Sequence, residues 1–160
     1  MTRESLANDL WRACDIMRRD DNCGGVMEYV EHLSWLLFLC FLDAQEKIFE
    51  QEAALAERTY TRVLDEKFRW SKWARKDWPS DDLLPFIRGK LLPYLQNLRG
   101  SEQRDIIRGI FADRPVVVMA SPYNLKDVLE IIDDIDFQSQ DDIHTVSFVY
   151  EDLLRRLGSE

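Results

Sequence analysis

Ten consecutive residues, 67 to 76, hold five cations and no carboxylate: Lys67, Arg69, Lys72, Arg75 and Lys76 alternate with Phe68, Trp70 and Trp73. Cations at this density can meet phosphates while aromatic rings pack on sugars or bases. The same pattern has a plainer reading. Tryptophans are mostly buried, so they can pin a long loop to the core while Lys and Arg stems lie over the rings. Both hold together if the rings face inward and the charges outward.

Other residue types that do chemistry are sparse. His32 borders the apolar run that follows it and His144 stands alone, so each reads as hydrogen-bonded structure before it reads as a general base. Cys14, Cys23 and Cys40 lack CxxC spacing, and neither histidine has a partner at metal-ligand spacing, so no zinc site is expected. Two of the three sit in helical patterns, where a free thiol behaves as a small hydrophobe, and this usage fits a reducing cytoplasm. Asp141-Asp142 at a helix start is explained by the macrodipole, whereas Asp133-Asp134 at a helix end opposes it. The pair Gly24-Gly25 follows no strand and makes no phosphate loop, and no nucleophile elbow, HExxH or EF-hand loop occurs. The residues therefore offer no catalytic, cofactor or metal site.

The elements that carry the basic stretch can be read from periodicity. With 160 residues and 46% hydrophobic content, the chain is long enough for one domain with its own core. A first helix is expected over Ser5–Arg18, on Leu6, Leu10, Cys14 and Met17. Asp20-Asp21-Asn22 and the two glycines break it. A second, longest helix follows from Val26, apolar nearly all round between Leu33 and Leu42, then charged from Glu46 to Arg58. It reads as the central helix, its charged end either solvated or a partner surface. Residues 60–79 read as a long, partly irregular connection with short strands at Thr61–Leu64 and Phe68–Trp70. Ser80-Asp81-Asp82 offers N-caps for a helix to about Arg99 that Pro93 should kink or split, and Gly100 stops it. A short helix on Ile106, Ile107, Ile110 and Phe111 and a buried strand or packed loop at Val116–Met119 come next. Asn124 reads as the cap of a helix on Leu125, Val128, Leu129 and Ile132, and a last helix carries Ile143, Val146, Tyr150, Leu153 and Leu157. The fold class is mainly α, a compact multi-helix domain with at most a very small β element.

The apolar run of about ten residues is too short for a bilayer, which takes roughly 20, and the first residues lack a signal peptide's h-region. The net charge of −9 argues against a general nucleic-acid binder, so any DNA role must rest on the local basic stretch.

The order of segments carries a resemblance. Leu10-Trp11-Arg12-Ala13-Cys14-Asp15, a break, then Tyr29-Val30-Glu31-His32-Leu33-Ser34-Trp35-Leu36-Leu37-Phe38-Leu39-Cys40-Phe41-Leu42-Asp43 form the short helix, gap and long helix of a known family. The Trp-rich segment, the stretch Leu125–Ile135 and the closing Tyr150-Glu151-Asp152-Leu153-Leu154 are similar as well. Over nearly its whole length the chain resembles the N-terminal domain of the modification (DNA methyltransferase, HsdM-like) subunit of type I restriction-modification systems. Family members often have Lys at the position of Cys40, which puts any role of that position in doubt.

The resemblance implies that residues 1–160 are one helical N-terminal domain. An S-adenosylmethionine-binding catalytic domain with an Asn-Pro-Pro-Phe/Tyr motif would follow the closing helix; this chain has no Asn-Pro dipeptide and reads as a fragment without it. The parent would be a cytoplasmic bacterial or archaeal adenine-N6 methyltransferase acting on a flipped base. Its partners would be DNA, a specificity subunit, a second modification subunit and a restriction subunit, with no membrane. The fragment would help enclose DNA through Lys67, Arg69, Lys72, Arg75 and Lys76, and alone would bind it weakly. A helical protein-protein adaptor without a nucleic-acid role is the competing reading. A small stand-alone enzyme would need a cluster of convergent titratable groups, which the sequence does not offer.

Overall fold

The structure is a computed structural model that describes residues 2–20, 26–75, 77–112, 119–135 and His144, with side chains of the second helix described from Val30 onward. Helix α1 spans Arg3–Arg18, two residues earlier than periodicity places it, because Thr2 caps it: its Oγ1 accepts the Ser5 N–H at 3.1 Å. Leu6, Leu10, Ala13, Cys14 and Met17 form its inner face, each no more than 1% exposed. A Leu buried to this degree stabilises the fold by roughly 1.5–3 kcal/mol.

Helix α2, Val26–Leu55, runs through the centre and packs on α1, on α3 (Trp70–Trp73) and on α7 (Pro122–Asp133). Its end is left-handed: Glu57 has φ 56°, and the Arg58 N–H closes onto the Ala53 carbonyl at 2.7 Å, a Schellman-type stop without the usual glycine. The charged half of α2 is not simply solvated. Glu46 is 2% exposed and accepts from the Tyr60 hydroxyl at 3.0 Å and the Val63 N–H at 2.7 Å. One turn either way, Asp43 and Glu50 hold the Arg62 guanidinium at 3.0 and 2.5 Å. Residues 60–63 thus fold back along a carboxylate stripe at helical spacing.

The strands expected at Thr61–Leu64 and Phe68–Trp70 do not form. A 3-10 turn, Glu66–Phe68, leads into α3. An isolated strand would leave its N–H and C=O groups without a ladder, whereas tight turns satisfy them locally. Helix α4, Ser80–Phe86, starts after Pro79 without a side-chain cap and keeps Pro85 inside it. Pro93 neither ends the helical run nor splits it sharply. The chain widens into a π turn, Ile87–Leu91, before α5, Leu92–Gln96, and the Leu92 N–H reaches back to the Ile87 carbonyl. In α register the Pro93 ring would press on the carbonyl four residues back and supply no N–H, and the wider turn absorbs that misfit. Gly100, at φ 118°, turns the chain toward α6, Glu102–Phe111, which Ser101 caps.

Helix α7 starts at Pro122 with Ser121 as its cap, not at Asn124; the Ser121 hydroxyl accepts the Asn124 N–H at 3.2 Å. Its buried face, with Leu125, Val128, Leu129 and Ile132, is the one periodicity gives. Asp20, just past α1, is 4% exposed and clamps the start of α7 by accepting from the N–H groups of Ala120 (2.7 Å) and Ser121 (3.0 Å) and from Asn124 Nδ2 (3.4 Å). Among the described residues the architecture is a multi-helix domain with no strand, and no helix is long and apolar enough to cross a membrane. Most of the Val116–Met119 run, Asp141-Asp142 and the last expected helix lie outside the described residues; Met119 itself is fully buried.

Candidate functional site

The basic stretch sits on the short turns between α2 and α4, and its aromatic rings fix its position. Trp70 and Trp73 are 2% and 0% exposed and meet edge to face at 5.1 Å. The Trp73 Nε1–H donates to the Phe68 carbonyl at 3.2 Å. The Trp70 Nε1–H donates to Asp133 Oδ1 at 2.7 Å. That bond accounts for a carboxylate at the end of α7, where the macrodipole alone disfavours it. Phe68 lies flat on Tyr94 with ring centroids 3.8 Å apart, and the Tyr94 hydroxyl accepts the Asp65 N–H at 2.9 Å. Burial raises the Tyr94 phenol pKa, and the Asp65 N–H opposes the rise. Lys126 Nζ is bonded to the Trp78 carbonyl, tying the far end of the stretch to α7.

With the rings turned inward, the cations differ in how free they are. Lys67 is exposed, its ammonium 5.0 Å from the Phe68 ring centre. Lys72 pairs with Glu66 at 3.1 Å, both largely exposed. Arg75 grips Asp77 with two N–H donors, at 2.9 and 2.6 Å, and so holds the Asp77 carboxyl below its usual range. Arg69 is half-buried and gives its Nε–H to the Leu64 carbonyl at 3.0 Å. Lys76 lies outside the described residues. Both ion pairs are exposed, so the carboxylates on Lys72 and Arg75 can be exchanged for phosphate oxygens at small cost.

Beside this surface opens a groove of about 940 Å³ that sequence reading did not find. Trp78, Pro85 and Phe86 supply its apolar part, and Lys67, Lys72 and Lys90 its cations. Nothing local in the sequence joins Lys90 to Lys67; the π turn and the Phe68–Phe86 contact at 6.1 Å bring them to one rim.

The remaining candidates are structural. His32 is 2% exposed with its ring 6.2 Å from Trp35, whereas His144 is exposed. Cys40 is 6% exposed, its Sγ lies 3.8 Å from the Ile132 carbonyl, and burial followed by the charges of Asp133 and Asp43 pushes its thiol pKa far up. Such a thiol is a poor nucleophile. Among the described residues no three His, Cys, Asp or Glu side chains converge on a point that could hold a metal ion.

Comparison with known proteins supplies the family. The profile of the HsdM N-terminal domain matches residues 6–132. The chain is 31% identical over 151 residues to the methylase subunit of the type I restriction enzyme EcoEI of Escherichia coli, covering 91% of this chain and 30% of that protein. Among solved structures it is similar, at TM-score 0.86 and 60% identity over its full length, to a chain of a type I restriction-modification system studied for complex assembly and conformational transition. A modification subunit assigned to a type I restriction enzyme of Vibrio vulnificus YJ016 matches at TM-score 0.86 and 30% identity over 98% of this chain. The chain spans about a third of the length of these relatives, 32% and 36% of the two solved chains. On the profile match and on these likenesses, the chain belongs to the HsdM N-terminal domain family.

Proposed function

We propose that this chain is the N-terminal helical domain of a type I modification subunit, residues 1–160 forming one domain that helps assemble the subunit with a specificity subunit and a second modification subunit and helps enclose DNA. In this reading a further domain holds S-adenosylmethionine and transfers its methyl group to adenine N6, in the cytoplasm of a bacterium or archaeon. A restriction subunit would join the same assembly. The chain itself binds no cofactor and performs no chemical step.

The observation that carries the DNA part is the rigid, ring-anchored turn that holds Lys67, Lys72 and Arg75 outward. Lys76 next to it and the remaining N–H groups of Arg69 would add to the same electrostatic footprint. The chain's net charge of −9 keeps its own DNA affinity low, so the contacts matter inside an assembly that supplies the rest. A second reading is favoured by the pairing of Lys72 with Glu66 and of Arg75 with Asp77. If those pairs persist, the domain is a protein-protein adaptor and its cations only solvate a loop.

The deciding experiment uses the longer protein of the source gene with its neighbouring specificity subunit. Methyl transfer from S-adenosylmethionine to DNA adenine should vanish when residues 1–160 are deleted. The salt slope of DNA binding should fall by roughly 0.9 for each of Lys67, Lys72, Arg75 and Lys76 that is neutralised. An unchanged slope, with assembly intact, leaves the adaptor reading. A downstream frame without a cofactor-binding domain refutes the methyltransferase reading.

A further inference from the structure

A carboxylate at the C-terminal end of a helix opposes the macrodipole, yet α7 ends in two, Asp133 and Asp134. Among the described residues Asp133 has a side-chain partner and Asp134 has none. Trp70 opens α3, is 2% exposed and gives its Nε1–H to Asp133 Oδ1 at 2.7 Å. An ionised acceptor makes this bond shorter and roughly twice as strong as a neutral carbonyl would. Seven residues earlier on the same face of α7, Lys126 Nζ is bonded to the Trp78 carbonyl. Between these two points Leu129 and Glu130 face Trp73 and Ala74 across an enclosed seam. Residues 126, 129, 130 and 133 form one stripe at helical spacing, and that stripe holds both ends of the segment that carries Lys72 and Arg75. The neighbouring stripe of Leu125, Val128 and Ile132 is fully buried, and α7 packs on α1, α2 and α4. Its start is clamped by Asp20 through the Ala120 and Ser121 N–H groups. The helix is therefore fixed independently of the basic turn, whereas the turn, three residues of 3-10 helix and four of α-helix, is too short to hold its own shape.

We infer that α7 is the splint of the basic turn and that Asp133 and Lys126 are positioning residues, an assignment that rests on the DNA contacts proposed above. Asp133 sets α3 and with it Lys72, and Lys126 sets the segment that follows Arg75. Both act through the turn: the Asp133 carboxylate repels phosphate, and the Lys126 ammonium is engaged by the Trp78 carbonyl. Cations held in place by the core lose less freedom on binding than cations on a loose loop, so the splint favours the contact without touching it. The sign of its effect separates it from simple charge. Removing a carboxylate from a chain of net charge −9 favours DNA by electrostatics alone. Removing Asp133 should disfavour DNA.

The test compares D133A, D133N and D134A, which make the same change in charge at two adjacent positions. Amide hydrogen exchange is followed by NMR in the 160-residue chain labelled with ¹⁵N. The Lys72 and Ala74 N–H groups bond to the Arg69 and Trp70 carbonyls, both at 2.9 Å. Their exchange should accelerate on the order of tenfold in D133A, less in D133N, which keeps a carbonyl acceptor, and not at all in D134A. K126A should have the corresponding effect on the Trp78 N–H, which bonds to the Arg75 carbonyl at 3.2 Å. DNA affinity is measured on the longer protein with its specificity subunit. D134A should leave it equal or raise it, D133A should lower it on the order of threefold, and D133N should fall between. The loss in D133A should disappear when Lys72 and Arg75 are already replaced by alanine. The inference is overturned if D133A and D134A exchange alike, or if D133A raises DNA affinity as D134A does. A K72A/R75A variant that binds DNA as the wild type does, with exchange behaving as stated, refutes the DNA reading alone.

Discussion

Replacing Asp20 by alanine should be among the most damaging single substitutions in the chain, although the residue touches no part of the candidate site. Its carboxylate is 4% exposed and receives three donors from a segment about a hundred residues away: Ala120 N–H, Ser121 N–H and Asn124 Nδ2–H, at 2.7, 3.0 and 3.4 Å. A hydrogen bond to a charged group contributes about 1.5–3 kcal/mol, and a buried N–H left without an acceptor costs about 1–3 kcal/mol. These terms overlap, and water can enter near the exposed Ala120. A net loss of about 3 kcal/mol is therefore expected. In a domain of this size it corresponds to a fall in Tm of roughly 6–12 °C. D20N keeps one acceptor oxygen but turns an NH2 group toward donors, and should lose about 2 kcal/mol. Urea unfolding followed by far-UV circular dichroism gives the free energies, and hydrogen exchange at Ala120 and Ser121 should accelerate in both variants. A loss below about 1 kcal/mol for D20A, at unchanged denaturant slope, would refute the view that this carboxylate holds α1 to α7.

Three other outcomes rest on single contacts. E57G should raise stability by about 0.5–1 kcal/mol, measured by urea unfolding, because Glu57 sits at φ 56° in a left-handed position that glycine takes without strain. The hydrogen bond from Arg62 holds the Glu50 carboxyl below its usual range. A depressed carboxylate contributes stability that is present above its unfolded value of about 4.3 and is lost as pH falls through the folded value. The acid limb of a pH-stability curve should therefore flatten in E50Q, by a small amount since Glu50 is largely exposed. Burial, followed by the charge of Glu46, pushes the Tyr60 phenol up to about 12. A raised phenol favours the fold below its unfolded value of about 10 and loses that advantage as pH rises through 12. Ultraviolet titration of tyrosinate should show a late component that Y60F diminishes, Tyr94 supplying the rest.

Helix existence was legible because it depends on periodicity alone. The face Leu6, Leu10, Cys14 and Met17 and the face Leu125, Val128, Leu129 and Ile132 are the buried faces in the structure. Boundaries were less legible. Thr2 moves α1 forward, and Ser121 followed by Pro122 at N1 was a better start signal than Asn124. The strands expected in residues 60–70 failed because alternation of aromatic and basic residues fits a pleated strand as well as a pair of tight turns, and only a neighbouring strand could decide between them. No local pattern could reveal the pairing of Glu46 with Tyr60 and Val63, of Asp20 with residues 120–124, and of Trp70 with Asp133. Each joins a polar group to one far along the chain, so it appears only once the helices are packed. The groove rim of Lys67 and Lys90 has the same origin.

The basic stretch shows why composition alone misjudges such a surface. A four-residue helix such as Trp70–Trp73 does not persist on its own, since nucleation costs more than one turn returns. It persists here because two indole N–H groups and the stacked Phe68 ring attach it to residues already fixed by the core. The same attachment ties the turn that bears Lys67, Lys72 and Arg75 to the end of α7 before any ligand arrives. The local carboxylate partners of Lys72 and Arg75 make exchange of either for a phosphate nearly balanced. A surface of nearly balanced exchanges on a chain of net charge −9 gives little affinity but fixed geometry. On the function proposed above, such a surface would orient a strand that other subunits hold and would not capture one alone.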